Sequence, residues 1–328
     1  MYKIVPWTAD LDLSEFYAEA EARGFANNAN QKVDVLAGFG LTPLALATAP
    51  IATQSKTPMV VMAAATSSIT QASPYIIRSS FTVPQVVTAL ADWASKNGIK
   101  KVVTLVSDFG PGLDAEKSFT EKFKAEGGTV IESLRVPLRN PEFAPFIQRV
   151  KDTKPQAVFV FLPAGEQGVA FMKGLRERGL AQAGIKVIAT GDLTDDHVLP
   201  AMGDSTLGVI TSFHYSAAHD SPQNKTFLKA FAEANPGAGR PNFMAVAAYD
   251  GIGAIYDVIN KLGGKIDGEK AMAAFKGMKI DSPRGPITID PATRDVVQTV
   301  YIRKVEKVGN ELYNVEFDKF ADVKDPGK

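Results

Sequence analysis

Hydroxyls, one carboxylate and one aromatic ring recur in this chain at one kind of place, just after a short apolar run. Val33–Ala37 leads to Phe39-Gly40-Leu41-Thr42, and Met59–Ala65 opens through Ala64-Ala65 into Thr66-Ser67-Ser68. Lys101–Ser107 runs into Asp108-Phe109-Gly110, Ala157–Leu162 into Pro163-Ala164-Gly165, and Lys186–Thr190 into Gly191-Asp192. Hydroxyls beside free backbone N–H groups suit a small anion, the ring suits an apolar body, and the carboxylate suits a cation or a hydroxyl. Such a set makes a pocket and supplies no reaction centre.

Motifs for catalysis are thin. There is no G-x-S-x-G, H-E-x-x-H or Walker A sequence. Gly38-Phe39-Gly40 opens like a dinucleotide fingerprint, but Pro43 stands where the third glycine should be, so no nucleotide cofactor is expected. Asp192, Asp195, Asp196 and His197 could gather a metal; the reading favoured here is that the acids cap a helix over 194–199. No metal and no catalytic residue is assigned. The Asp108-Phe109-Gly110 triplet matches a kinase magnesium motif, with nothing else of a kinase present. His214-Tyr215 ends the run Leu207–Tyr215 and either faces the cleft or forms a hinge pair.

The elements that position these residues follow from periodicity. Runs of four to eight apolar residues bounded by turn residues read as fully buried parallel strands. Between the first two, Thr42 suits an N-cap and Pro43 the first helical position, giving a β–α–β unit. Strands are expected at Tyr2–Trp7, Tyr75–Arg78, Lys101–Ser107, Thr129–Pro137, Ala157–Leu162, Lys186–Thr190 and Leu207–Tyr215. Helices are expected at Leu13–Asn27, Val83–Ser95, Ala115–Glu126, Phe143–Asp152 and Glu166–Arg178. Asp108–Gly112 reads as an exposed loop. Then the texture changes to consecutive helices, Asn224–Asn235, Asn242–Leu262 and Gly268–Gly277, and again to a ribbon of Gly285–Ile289, Val296–Glu306 and Leu312–Phe317. The pattern implies an α/β fold with discontinuous domains, and ligands in open α/β sheets sit at the carboxyl ends of strands.

Composition narrows the function. The 36 basic and 36 acidic residues balance, with no charged block, so nucleic acid and anionic membranes are not expected partners. No apolar run approaches the ~18–20 residues of a membrane span. With no cysteine, disulfides, thiolate metal sites and cysteine nucleophiles are excluded. The first residues show no charged segment followed by an apolar one, so a secretory signal is absent or already removed.

At the strand ends the chain resembles the type I periplasmic substrate-binding proteins of ABC transporters, in the branch that includes leucine/isoleucine/valine-binding proteins. Gly38–Ala49, Met62–Thr70, Tyr75–Arg78, Asp108-Phe109-Gly110 and Gly191-Asp192 fall in that family's order and spacing, and the similarity runs from Lys32 to the C-terminus. The resemblance implies two Rossmann-like lobes, 1–99 plus 216–296 and 100–215 plus 297–328, joined by crossings near Lys100, Ser216 and Val296. A ligand cleft lies between them and closes on binding. It implies that Thr42 and Thr66, with the backbone at Ala64, bind a carboxylate, that Phe109 lies against the ligand body, and that Asp192 receives an ammonium. Phe39, Gly40, Leu41, Ala65, Ala164, Gly165 and Tyr215 complete the expected pocket.

Ala164-Gly165 departs from the tyrosine that amino-acid binders often carry there, leaving room for an aromatic acid. Only 31 residues precede Lys32, so the family's first β–α unit is expected to be missing. The function expected is a monomeric periplasmic or extracellular receptor of an ABC importer, partnered by a membrane permease. Its ligand would be an aromatic acid or a branched-chain or aromatic amino acid. A cytosolic ligand sensor on the same fold is the alternative, and an α/β enzyme a further one.

Overall fold

The computed structural model describes residues 33–327. The strand expected at Tyr2–Trp7 and the helix expected at Leu13–Asn27 lie outside the described residues.

The first apolar runs form a parallel sheet of three short strands, β1 (Leu36–Gly38), β2 (Met59–Val61) and β3 (Ile76–Arg78), in that order. Helix α1 (Thr42–Ser55) returns the chain from β1 to β2. Branched apolar side chains on both faces suit strands covered on both faces. The cover comes from α1 and from two late helices, α8 (Phe243–Lys261) and α9 (Gly268–Phe275). Ala45, Val60, Ile77, Ala254, Val258 and Phe275 share one buried cluster.

The second sheet has nine strands. β4 (Lys101–Ser107), β5 (Thr129–Val136), β6 (Ala157–Phe161), β7 (Lys186–Thr190) and β8 (Ile210–Phe213) pair in parallel in the order β5-β4-β6-β7-β8. β5 at the edge alternates exposed with half-buried residues, as a strand covered on one face should. β11 (Val296–Val308) lies antiparallel against β8 and pairs with β12 (Glu311–Val323) and β10 (Gly285–Ile289). β9 (Lys279–Ser282), which the sequence reading did not anticipate, finishes the sheet beside β10.

Helices α2 (Val83–Lys96) and α3 (Gly110–Ala125) cover one face, with Val86, Leu90 and Phe119 against Val102, Phe159 and Ile188. α4 (Phe143–Thr153) and α5 (Glu166–Glu177) cover the other, with Ile147 and Phe171 against Val103 and Val160. α6 (Leu199–Met202) and α7 (Pro222–Ala234) complete the set.

Two local expectations are corrected. Residues 108–112 are not all loop: α3 starts at Gly110, because Pro111 falls in the first helical turn, where its missing N–H costs nothing. The helix expected over 194–199 does not form: residues 194–198 are turns and only Leu199 enters a helix, α6. There the Asp195 carboxylate accepts from the His197 N–H at 3.1 Å and from Asn242 Nδ2 at 3.3 Å, holding a series of turns before the four-residue α6.

Among the described residues three arginines are buried, each against an acid from a distant part of the chain. Arg78 lies 3.0 Å from Asp295, Arg284 3.0 Å from Asp250, and Arg303 3.9 Å from Asp196. A buried charge needs such a partner, and removing either member is costly.

Candidate functional site

The hydroxyls after β1 and β2 meet. Leu41, not Thr42, is the N-cap of α1, and Thr42 occupies its first turn with Pro43. The Thr42 hydroxyl therefore caps nothing; it lies 2.8 Å from that of Thr66. Thr66 precedes the 3-10 turn Ser67–Gln71, and its side chain does not cap that turn either. Both threonines are buried.

The backbone around them is stitched together. Met62 N–H donates to the Gly38 carbonyl at 2.7 Å and Ala64 N–H to that of Phe39 at 2.9 Å. Phe39 holds φ 68, a left-handed conformation uncommon for an aromatic residue and typical of strained functional turns. It leaves Gly40 and Leu41 exposed, while Ala64 and Ala65 are buried. Arg78 pins the second exit, donating to the Ala64 carbonyl at 3.0 Å and the Thr66 carbonyl at 2.7 Å. Arg78 was not anticipated in this role. The signal in the sequence is a charged residue closing the strand Ile76-Ile77-Arg78.

The second sheet brings a helix N-terminus to the same place. A Cβ built on Gly110 would lie 3.3 Å from the Thr66 hydroxyl and 3.7 Å from the Thr42 methyl, so the start of α3 abuts the threonine pair. Free N–H groups and the positive end of a 16-residue helix thus join the two hydroxyls. Asp114 of α3 accepts from the Ser67 N–H at 3.2 Å across the junction.

Phe109 is the N-cap of α3 and half-buried, its ring 6.1 Å from that of Phe161. Ala164 packs on the same apolar cluster. Gly165 adopts φ 109, which glycine tolerates, and a Cβ there would meet nothing within 4 Å. Beside Gly165 the end of β6 therefore leaves open space.

Asp192 follows β7 and is 6% exposed, with Oδ2 buried and without a hydrogen-bond partner. Burial pushes its carboxyl up to about 7, against the pull of the Thr190 hydroxyl and of Arg303. Asp196 is raised to about 6 by burial, offset by Arg303 and Asn314. Asp195, raised by burial, spends Oδ1 on His197 and Asn242. The acids serve different partners, and among the described residues no group of three or more His, Asp or Glu is placed to hold a metal.

Tyr215 is fully buried, and its hydroxyl donates to Asn224 Oδ1 at 3.1 Å, so that group already has its partner. His214 stacks on Phe81 with ring centroids 4.6 Å apart. Burial, with Arg284 and Arg303 nearby, holds its imidazole well below the usual range and therefore neutral. Surface depressions of about 540 Å³ beside Tyr75 and Glu269 and about 320 Å³ beside Asp34 and Gly264 lie away from these strand ends.

With this arrangement established, known proteins give it a context. The sequence model for periplasmic binding proteins matches residues 18–310. The Leu/Ile/Val-binding protein homolog 6 of Brucella melitensis is 48% identical over 299 residues, covering 90% of this chain and 76% of the relative. A solute-binding protein of an ABC transporter from Rhodopseudomonas palustris BisB5, solved in complex with 3,4-dihydroxybenzoic acid, superposes with a TM-score of 0.91 at 57% identity. That match covers 94% of this chain and 85% of the other. A solute-binding protein from R. palustris in complex with 4-hydroxybenzoate gives 0.91 at 46% identity, over 94% and 84%.

Proposed function

The chain belongs to the periplasmic binding protein family, and from that premise we propose that this importer receptor captures a small aromatic carboxylate. The observation that carries the reading is the Thr42–Thr66 pair, bonded at 2.8 Å, released from capping and faced by the N-terminus of α3. A carboxylate entering there exchanges one hydroxyl–hydroxyl bond for two charge-assisted ones and gains the N–H groups of α3. Phe109 covers the ring, the space beside Ala164 and Gly165 accepts it, and the Asp192 carboxyl meets a hydroxyl on its far side. That two similar solved proteins hold hydroxylated benzoates supports this choice.

The cleft lies between lobes organised on the two sheets. The packing of α2 on the larger sheet favours a first crossing just before Val83, ahead of the one expected near Lys100. The receptor works as a periplasmic monomer, and its permease reads the closed form.

Thermal melts and calorimetric titration with 4-hydroxybenzoate, benzoate and leucine test the proposal. A ligand at a hundred times its Kd stabilises the native state by about 2.7 kcal/mol. The hydroxylated acid is expected to raise the melting temperature most, and leucine not at all. Stabilisation by leucine alone would overturn the aromatic reading in favour of an amino acid, the reading that the relative's name and a salt bridge from Asp192 would favour.

A further inference from the structure

Behind the strand-end turn that carries Asp192, Asp195 and Asp196 lies one guanidinium. Arg303, in β11, is 1% exposed. Its Nε and Nη2 both donate to Thr211 Oγ1 at 3.1 Å, and Nη1 donates to the Tyr215 carbonyl. It lies 5.1 Å over the Phe213 ring and 3.9 Å from Asp196. Its Nη2 also presses on the backbone of Gly191, where any Cβ would collide with that nitrogen and with the Phe213 ring. One side chain thus ties together β8, β11 and the residue before Asp192.

The acids around it are not equivalent. Asp196 takes Arg303 and accepts from Asn314 Nδ2 at 3.1 Å. Asp195 accepts from His197 and Asn242. Asp192 has neither kind of partner: it is buried, the Thr190 hydroxyl draws on its carboxyl, and its Oδ2 makes no hydrogen bond. An unpaired polar atom at that depth is expensive unless a ligand or water meets it.

We propose that Arg303 is a positioning residue that sets ligand selectivity. By engaging Asp196 and bracing Gly191 it holds the Asp192 carboxyl fixed and uncommitted, so that it reads a hydroxyl on the ligand ring. The inference rests on the reading that Asp192 contacts the ligand. Lysine at 303 keeps the charge but cannot reproduce the fork that spans Thr211 and Tyr215. Valine at 211 removes the acceptor shared by two guanidinium N–H groups and leaves the charge untouched.

The test is the ratio of Kd values for benzoate and 4-hydroxybenzoate, by calorimetry, in the wild type, Arg303→Lys, Thr211→Val and Asp192→Ala, with thermal melts to verify folding. A hydrogen bond to a charged or buried carboxyl should give the wild type a preference of about tenfold or more for the hydroxylated acid. In Arg303→Lys this ratio should fall towards unity with benzoate affinity changed by less than about threefold, since a lost fork affects only the hydroxyl contact. Thr211→Val should shift the ratio the same way, and carries the test alone if the lysine variant does not fold. Equal losses for both ligands, or an unchanged ratio beside a collapsed one in Asp192→Ala, overturn the role of Arg303 while leaving the site reading intact. A ratio unaffected by Asp192→Ala overturns the site reading itself, and this inference with it.

Discussion

A threonine hydroxyl that caps a helix is committed to a backbone N–H, whereas one bonded only to another hydroxyl can exchange its partner for an anion. Thr42 and Thr66 are of the second kind. Replacing both with valine should therefore weaken carboxylate binding by about tenfold or more, each charge-assisted bond contributing about 1.5–3 kcal/mol. Titration calorimetry on a variant with native melting behaviour checks this, and unchanged affinity would remove the pair from the site. Asp192 makes a different prediction. Its folded pKa is raised to about 7, so the native state holds the proton more tightly than the unfolded chain. That contribution to stability is present at low pH and is lost as pH rises from the ordinary carboxylate range through about 7; Asp196, raised to about 6, acts in the same direction. Asp192→Asn removes one titrating group. Melts should show the variant gaining on the wild type between about pH 5 and about pH 8. A difference in melting temperature that stays flat with pH would mean that Asp192 is not buried as described.

At the level of elements, the proposed site is a meeting of ends: the exits of β1 and β2, the start of α3, and the exits of β6 and β7. Pro111 fixes where α3 starts, and so where its N–H groups and Phe109 stand relative to the threonines. Phe109→Ala should lose about 1 kcal/mol or more of binding to an aromatic acid through lost ring contact. A complex with the Phe109 ring turned away from the ligand would contradict this. The exit of β2 depends on a neighbouring strand. Arg78, at the end of β3, supports Ala64 and Thr66 through their carbonyls while resting on Asp295. Arg78→Met should destabilise the fold by about 3 kcal/mol or more, since it strips a buried ion pair of its cation. Denaturant unfolding measures this directly, and a loss below about 1 kcal/mol would show that the pair contributes no more than a surface contact.

On the scale of the whole molecule, side-chain contacts cross between the parts built on the two sheets. Asp114 accepts from the Ser67 N–H, Asn242 donates to Asp195, and Arg240 donates to the Leu312 carbonyl at 2.6 Å while lying 3.8 Å over the Tyr313 ring. If the lobes close as proposed, contacts made only in the closed form would favour it. Asp114→Ala should speed ligand release by about threefold to tenfold and leave association nearly unchanged, as is usual when a closed form loses a contact. Stopped-flow fluorescence separates the two rates, and an effect confined to association would count against the latch.

What the sequence determined by itself was most of the strands among the described residues, β9 excepted, and the kind of residue at their ends. β4, β6 and β7 are legible because strands buried on both faces must be apolar throughout, and the small, hydroxyl and acidic residues that follow them break that rule visibly. The pocket chemistry proposed above starts from these breaks. The tertiary structure decided which of them meet and what supports them. Nothing local told that Thr42 would turn from its helix to Thr66, that the start of α3 would abut that pair, or that residues 194–198 would stay in turns under the pull of Asn242. Arg78 and Arg303 were illegible for a plainer reason. Arginine belongs by default at the surface, and only partners from distant parts of the chain, Asp295 and Asp196, make its burial tolerable.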